Sequence, residues 1–143
     1  MAELAKNQLH TVTITGYAAE GLGVARIEGQ VVFVHSGVRE ERCTVRILKV
    51  LKNAAYARVE EILERSPARV ESDCPHYPAC GGCDFRHVSY PEELAAKRAR
   101  VEDALRRIGG TEVLVEEILA SPAVDHYRNK SQYPVGADGS IGF

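Results

Sequence analysis

The chain has 143 residues, 45% hydrophobic and 27% charged, with a formal net charge of −2. That composition supports one ordinary domain or two small ones and excludes global disorder, and no apolar run approaches the roughly 18 residues of a membrane span. The net charge excludes a uniformly basic nucleic-acid binder, but the charge is uneven: residues 1–58 hold eight Lys/Arg against five Asp/Glu, and residues 59–73 hold two against five. A mean near zero is thus compatible with a basic face on the first part and equally with scattered, solvated charge.

Residues 1–9 read as a flexible lead-in without the apolar stretch of a secretory signal, so a cytoplasmic setting with reduced thiols is expected. Residues 10–15 alternate polar and apolar, which predicts a half-buried strand. Gly16, Gly21 and Gly23 interrupt it. Residues 24–27 form a second short strand, Glu28-Gly29 a turn, and residues 31–34 a continuous apolar strand with Phe33 expected in the core. Residues 42–51 and 55–63 complete a set of five short strands at spacings near ten residues. The fold class expected is mainly β, a five-stranded OB-like barrel over residues 10–66, followed by α+β structure. In the fourth strand, two-residue spacing places Cys43 with Val45 and Ile47, as a small buried hydrophobe, opposite Arg42 and Arg46. Arg42, Arg46 and Lys49, with Lys52 and Arg58, are candidate nucleic-acid contacts, because basic outer faces of such barrels bind RNA backbones and single strands. Ser66-Pro67 ends the barrel, and the acidic residues around it read as a solvated linker.

Residues 67–90 contain Cys74, Cys80 and Cys83, spaced C-x5-C-x2-C. Three thiolates so close can grip one soft metal centre, and Gly81-Gly82 lets the backbone fold tightly between two of them. A tetrahedral zinc or a four-iron cluster needs a fourth ligand. His87 would make a zinc site of three cysteines and one histidine, Cys43 would make a set of four cysteines, or the ligand lies past residue 143; spacing does not choose among them.

Beyond the loop, Ser89 and Glu92 fit a capping box, and a helix is predicted from Tyr90 to Ile108 with Leu94, Val101, Leu105 and Ile108 on one face. Gly109-Gly110 ends it. Strands are expected over residues 111–119 and 127–135, with Asp138-Gly139 as a hairpin turn. The partner strand would have only four residues, so the chain reads as the front of a longer protein, with residues 91–143 opening a β-rich central domain.

These residues carry a family resemblance. The barrel, with its run GVARIEGQVVFVHSG, resembles a TRAM domain. The segment CPHYPACGGCDFRHVSYPEELAAKRARVEDALRRIGG resembles the iron–sulfur loop of bacterial 23S rRNA (uracil-5-)-methyltransferases, and YRNKSQYPVG followed by IGF resembles the segment after it. The order of barrel and loop resembles the RlmD/RumA branch of that family. The resemblance implies that Cys74, Cys80 and Cys83 are three ligands of a [4Fe-4S] cluster whose fourth ligand lies outside this chain, which demotes Cys43 and His87. It implies a 23S rRNA partner and a role in rRNA processing, with no membrane and no obligate protein partner. It also implies that a cysteine thiolate adds to uracil C6, so that C5 attacks the methyl group of S-adenosyl-L-methionine, bound by a domain outside the chain. No residue here matches that nucleophile, so no catalytic residue is assigned. The chain is expected to bind and place RNA, with Arg128 and Lys130 joining Arg42, Arg46 and Lys49 as contacts, and not to act alone. The rivals are a stand-alone zinc RNA-binding module with three cysteines and one histidine, and a TRAM-bearing radical methylthiolating enzyme, whose cysteine spacing and domain order differ. One departure from the family is the turn after the third strand, where Val38-Arg-Glu-Glu41 replaces a frequent Pro-Gly-Glu.

Overall fold

The computed structural model describes residues 4–142. Its elements are β1 (Leu9–Thr13), β2 (Gly16–Tyr17), β3 (Gly23–Ile27), β4 (Gln30–His35), β5 (Arg42–Val50), β6 (Ala54–Glu64) and α1 (Tyr90–Arg107). The strands form one sheet in the order β1-β5-β6-β4-β3-β2. All neighbours are antiparallel except β4 and β6, which run parallel. The two ends of that order belong to one bent stretch of chain. Just after β1, the Ile14 N–H donates to the Glu41 carbonyl at 2.9 Å, and the next amide, Thr15, donates to the Val24 carbonyl at 2.8 Å. The first strand therefore serves both edges, and the curled sheet closes as an OB-like barrel leaves few free ladder groups. The sixth strand, beyond the five expected, is the two-residue β2 at the end of this bend.

The core follows from alternation. Val32, Val34, Val45, Ile47, Ala55 and Ala57 are completely shielded from solvent, and Val12 and Ile14 nearly so. Cys43 lies among them, as its spacing predicted. Burial, more than the nearby Glu41, pushes its thiol up to about 11, so it stays protonated and packs as an apolar group. Phe33 does not join the core. It is partly exposed between two inward-facing valines, because strict alternation along β4 sends Val32 and Val34 inside and Phe33 outside.

The helix spans Tyr90–Arg107, one residue short of the expected end. Ser89 occupies the N-cap position without a side-chain cap, and Pro91 follows in the first turn. Glu92 does not reach back to the cap, because its carboxylate accepts two hydrogen bonds from Arg39 of the barrel. No residue of α1 is buried, and Val101 and Ile108 stand largely in solvent.

The strands expected over residues 111–119 and 127–135 are absent among the described residues; only a Val135–Ile141 bridge forms. An apolar alternation becomes a strand only against a neighbour, and here Leu114 and Leu119 face water. The Asp138-Gly139 turn does form: Gly139 takes φ +84° and Asp138 Oδ1 accepts the Ser140 amide at 3.0 Å.

Candidate nucleic-acid interface and cysteine loop

The cysteine loop is fastened to the barrel by a buried polar cluster. Arg69, just past the barrel, donates from Nε and Nη2 to the two oxygens of Glu41 at 2.5 and 2.8 Å. Glu41 is wholly buried and also accepts the Val38 amide at 3.2 Å. Its neighbour Glu40 takes φ +71°, the conformation for which glycine is the usual residue. The turn that departs from the family's Pro-Gly-Glu supplies the glutamate that receives Arg69. On the other side of the loop, His87 is also buried; its Nδ1 accepts from the Tyr77 hydroxyl and its Nε2 lies 3.4 Å from the Gly37 carbonyl oxygen. Burial and, secondarily, the Arg69 guanidinium hold the imidazole below its ordinary value of 6.5, so it is neutral and the two contacts fix its tautomer. Backbone bonds from Val70 to His87 and from Ser89 to Ala68 zip the two ends of the loop together. Part of the stretch around Ser66-Pro67 is therefore not a solvated linker. Ser66 is buried, and Arg69 plugs into the barrel.

A second contact joins the barrel's residues 17–22 to the loop and helix. Tyr17 packs edge-on against Phe85, with centroids 5.6 Å apart, and its hydroxyl accepts the Arg39 amide at 3.0 Å. Gly21, at φ +70°, passes so close to Asp84 that a Cβ would stand 2.8 Å from the Asp84 carbonyl oxygen. Arg100 of α1 donates to the Ala19 carbonyl at 3.1 Å.

All four cysteines are free thiols; Cys43 is buried, Cys74 is half-buried, and Cys80 and Cys83 are exposed. The loop turns tightly between the last three. The Tyr77 amide donates to the Cys74 carbonyl, that of Cys80 to His76 and that of Gly81 to Pro78, and Gly81 takes φ +69°. The donor chemistry fits a soft metal centre: three adjacent thiols, two of them facing solvent, on a loop pinned at both ends. The geometry fits only in part, since among the described residues no three Cys, His, Asp or Glu side chains converge as a metal site. His87 cannot complete a set of three cysteines and one histidine in this arrangement, because both of its ring nitrogens are engaged. Cys43 points into the barrel core.

The expected RNA contacts fall in two places. On the barrel, Arg42 pairs with Glu64 at 3.0 Å and Arg46 pairs in two-pronged fashion with Glu60 at 2.9 and 3.1 Å. Lys49 is exposed and has no ion pair among the described residues. Alternation alone would put Arg46 and Lys49 on opposite faces. The register slips between Ile47 and Lys49, leaving Leu48 as an extra residue, and the slip returns Lys49 to the face of Arg46. Arg128 and Lys130 lie in the segment beyond α1, apart from that face and exposed. Arg128 lines a groove of about 880 Å3 bounded by residues 17–19, the cysteine loop, α1 and residues 124–128. Acids slightly outnumber cations there, with Arg86 bridging Asp73 and Asp125, and Lys97 paired with Glu93.

Comparison with known proteins agrees with this architecture. The TRAM domain family matches residues 5–59. An uncharacterized RNA methyltransferase of Clostridium tetani is 41% identical over 96% of this chain, and one of Listeria innocua is 42% identical over 93%. The chain spans about 30% of the length of these curated relatives. Among solved structures, the Pyrococcus abyssi tRNA (uracil-54, C5)-methyltransferase, in complex with S-adenosyl-L-homocysteine, matches 92% of this chain and 28% of its own, at 25% identity and a TM-score of 0.56. A tRNA-directed enzyme thus shares most of this architecture. The chain thus carries a TRAM domain over residues 5–59 and is about 40% identical, over nearly all its length, to part of proteins named RNA methyltransferase.

Proposed function

We propose that this chain is the RNA-binding and iron–sulfur-binding part of an S-adenosyl-L-methionine-dependent 23S rRNA (uracil-C5)-methyltransferase that acts in rRNA processing in the cytoplasm. The observation that carries the reading is the rigid fastening of a three-cysteine loop to a TRAM barrel through Arg69–Glu41 and His87. A loop held this way carries its three thiols on the side of the barrel. Cys74, Cys80 and Cys83 would hold a [4Fe-4S] cluster, with the fourth ligand outside the chain, and the cluster would supply a structural cross-link. The barrel binds RNA through its outward cations. The methyl donor belongs to a part of the enzyme that this chain does not contain. The solved Pyrococcus abyssi relative, of which this chain matches 28%, carries S-adenosyl-L-homocysteine.

The test is reconstitution of the full-length enzyme, which supplies the fourth ligand, with ferrous iron and sulfide under anaerobic conditions. The expected product is brown, with broad visible absorption that is lost in a Cys74→Ser/Cys80→Ser/Cys83→Ser variant. A colourless product that instead takes up one zinc ion per chain would overturn the cluster assignment.

A further inference from the structure

The outward face of the barrel carries a feature that its core does not need. Cross-strand register aligns Val24 of β3, Phe33 of β4, Tyr56 of β6 and Lys49 of β5 in one row. The Phe33 and Tyr56 rings pack at a centroid distance of 5.4 Å, tilted by 41°. Both are partly exposed, whereas Val32, Val34, Ala55 and Ala57 beside them face inward and are wholly buried. The adjacent row holds two guanidiniums, with His35, Arg58 and Arg46 as successive cross-strand neighbours. One carboxylate, Glu60, answers both guanidiniums, at 2.9 Å from Arg46 and 3.5 Å from Arg58. With Lys49 added by the slip at Leu48, the face is net positive.

A pair of rings flanked on the same sheet face by three cations matches the chemistry of single-stranded nucleic acid. The base offers a π-face to the rings, and its phosphates offer charge to the guanidiniums and the ammonium. Double-stranded RNA would leave the rings idle, because its bases are stacked inside the helix. We propose that Phe33 and Tyr56 form a stacking platform for one unpaired base of single-stranded RNA, whose backbone runs along Arg58, Arg46 and Lys49. This rests on the reading of the barrel as RNA-binding and adds to it the site, the unpaired state of the RNA and the residues.

The test is fluorescence anisotropy of a labelled oligouridine with the whole chain. Tyr56→Ala is expected to weaken binding on the order of tenfold, the effect of losing one stacked base. Tyr56→Phe, which keeps the ring, is expected to bind as the parent does, and a labelled RNA duplex should not distinguish the three proteins. Thermal unfolding of each variant reports whether the barrel remains folded, and Phe33→Leu provides a second substitution that keeps apolar bulk while removing the ring. Parent-like binding by folded Tyr56→Ala and Phe33→Leu would overturn the platform while leaving RNA binding by the barrel intact. Equal weakening by Tyr56→Phe and Tyr56→Ala would assign the effect to the hydroxyl and overturn stacking. Failure of the parent chain to bind oligouridine at all would overturn the platform together with the reading beneath it.

Discussion

Arg69 enters the barrel from the chain just outside it and meets a carboxylate with no access to water. Taking one member of such a pair away leaves the other buried and uncompensated, so Arg69→Ala is expected to cost about 3–5 kcal/mol in denaturant unfolding. His87 makes a pH prediction. Its folded pKa lies below the ordinary value of 6.5, so the folded state refuses a proton that the unfolded state accepts. Stability is therefore full above about 6.5 and falls as the solution is acidified through that value. A melting temperature that drops between neutral and mildly acid pH in the parent, and drops less in His87→Gln, is the expected result. The burial of Cys43 was legible from spacing, because strand alternation is a local signal, and so was the tight turn between Cys80 and Cys83 at Gly81-Gly82. The Glu41–Arg69 pair was not legible, since its members stand 28 positions apart and nothing local marks either as buried.

Among the elements, β1 and β5 were readable because each buries one face and alternates accordingly, and β4 because its run is apolar. β2 was missed because two residues carry no period. The slip at Leu48 was missed because alternation is read at constant parity, and that slip decides which face Lys49 joins. The two strands expected after α1 failed for the opposite reason: the pattern is there, but no partner strand is found among the described residues. The capping box at Ser89 lost to a tertiary contact, Arg39 with Glu92, which draws the first turn of α1 toward the barrel. Contact between the barrel and the cysteine loop also depends on Gly21, where both the positive φ and the 2.8 Å approach to Asp84 exclude a side chain. Gly21→Ala should raise amide hydrogen exchange in residues 80–90 while leaving β4, β5 and β6 protected. Unchanged exchange in the loop would show that this approach does not hold the two parts together.

For the whole molecule, a barrel closed by its own bent first strand presents a cationic outer face and carries a thiol-bearing loop clamped to its side. The Glu–Arg pairs between β5 and β6 reduce that face's charge without cancelling it, which is why a chain of net charge −2 can still hold an RNA-binding surface. Its affinity should then come from a few phosphate contacts. The most direct measurement is the equilibrium constant for single-stranded RNA as a function of salt. Three contacts, from Arg46, Lys49 and Arg58, predict a slope of about −2 in log K against log salt. Lys49→Ala should make that slope shallower, whereas Tyr56→Ala should lower affinity and leave the slope unchanged. An affinity that is flat from low to moderate salt would contradict the account.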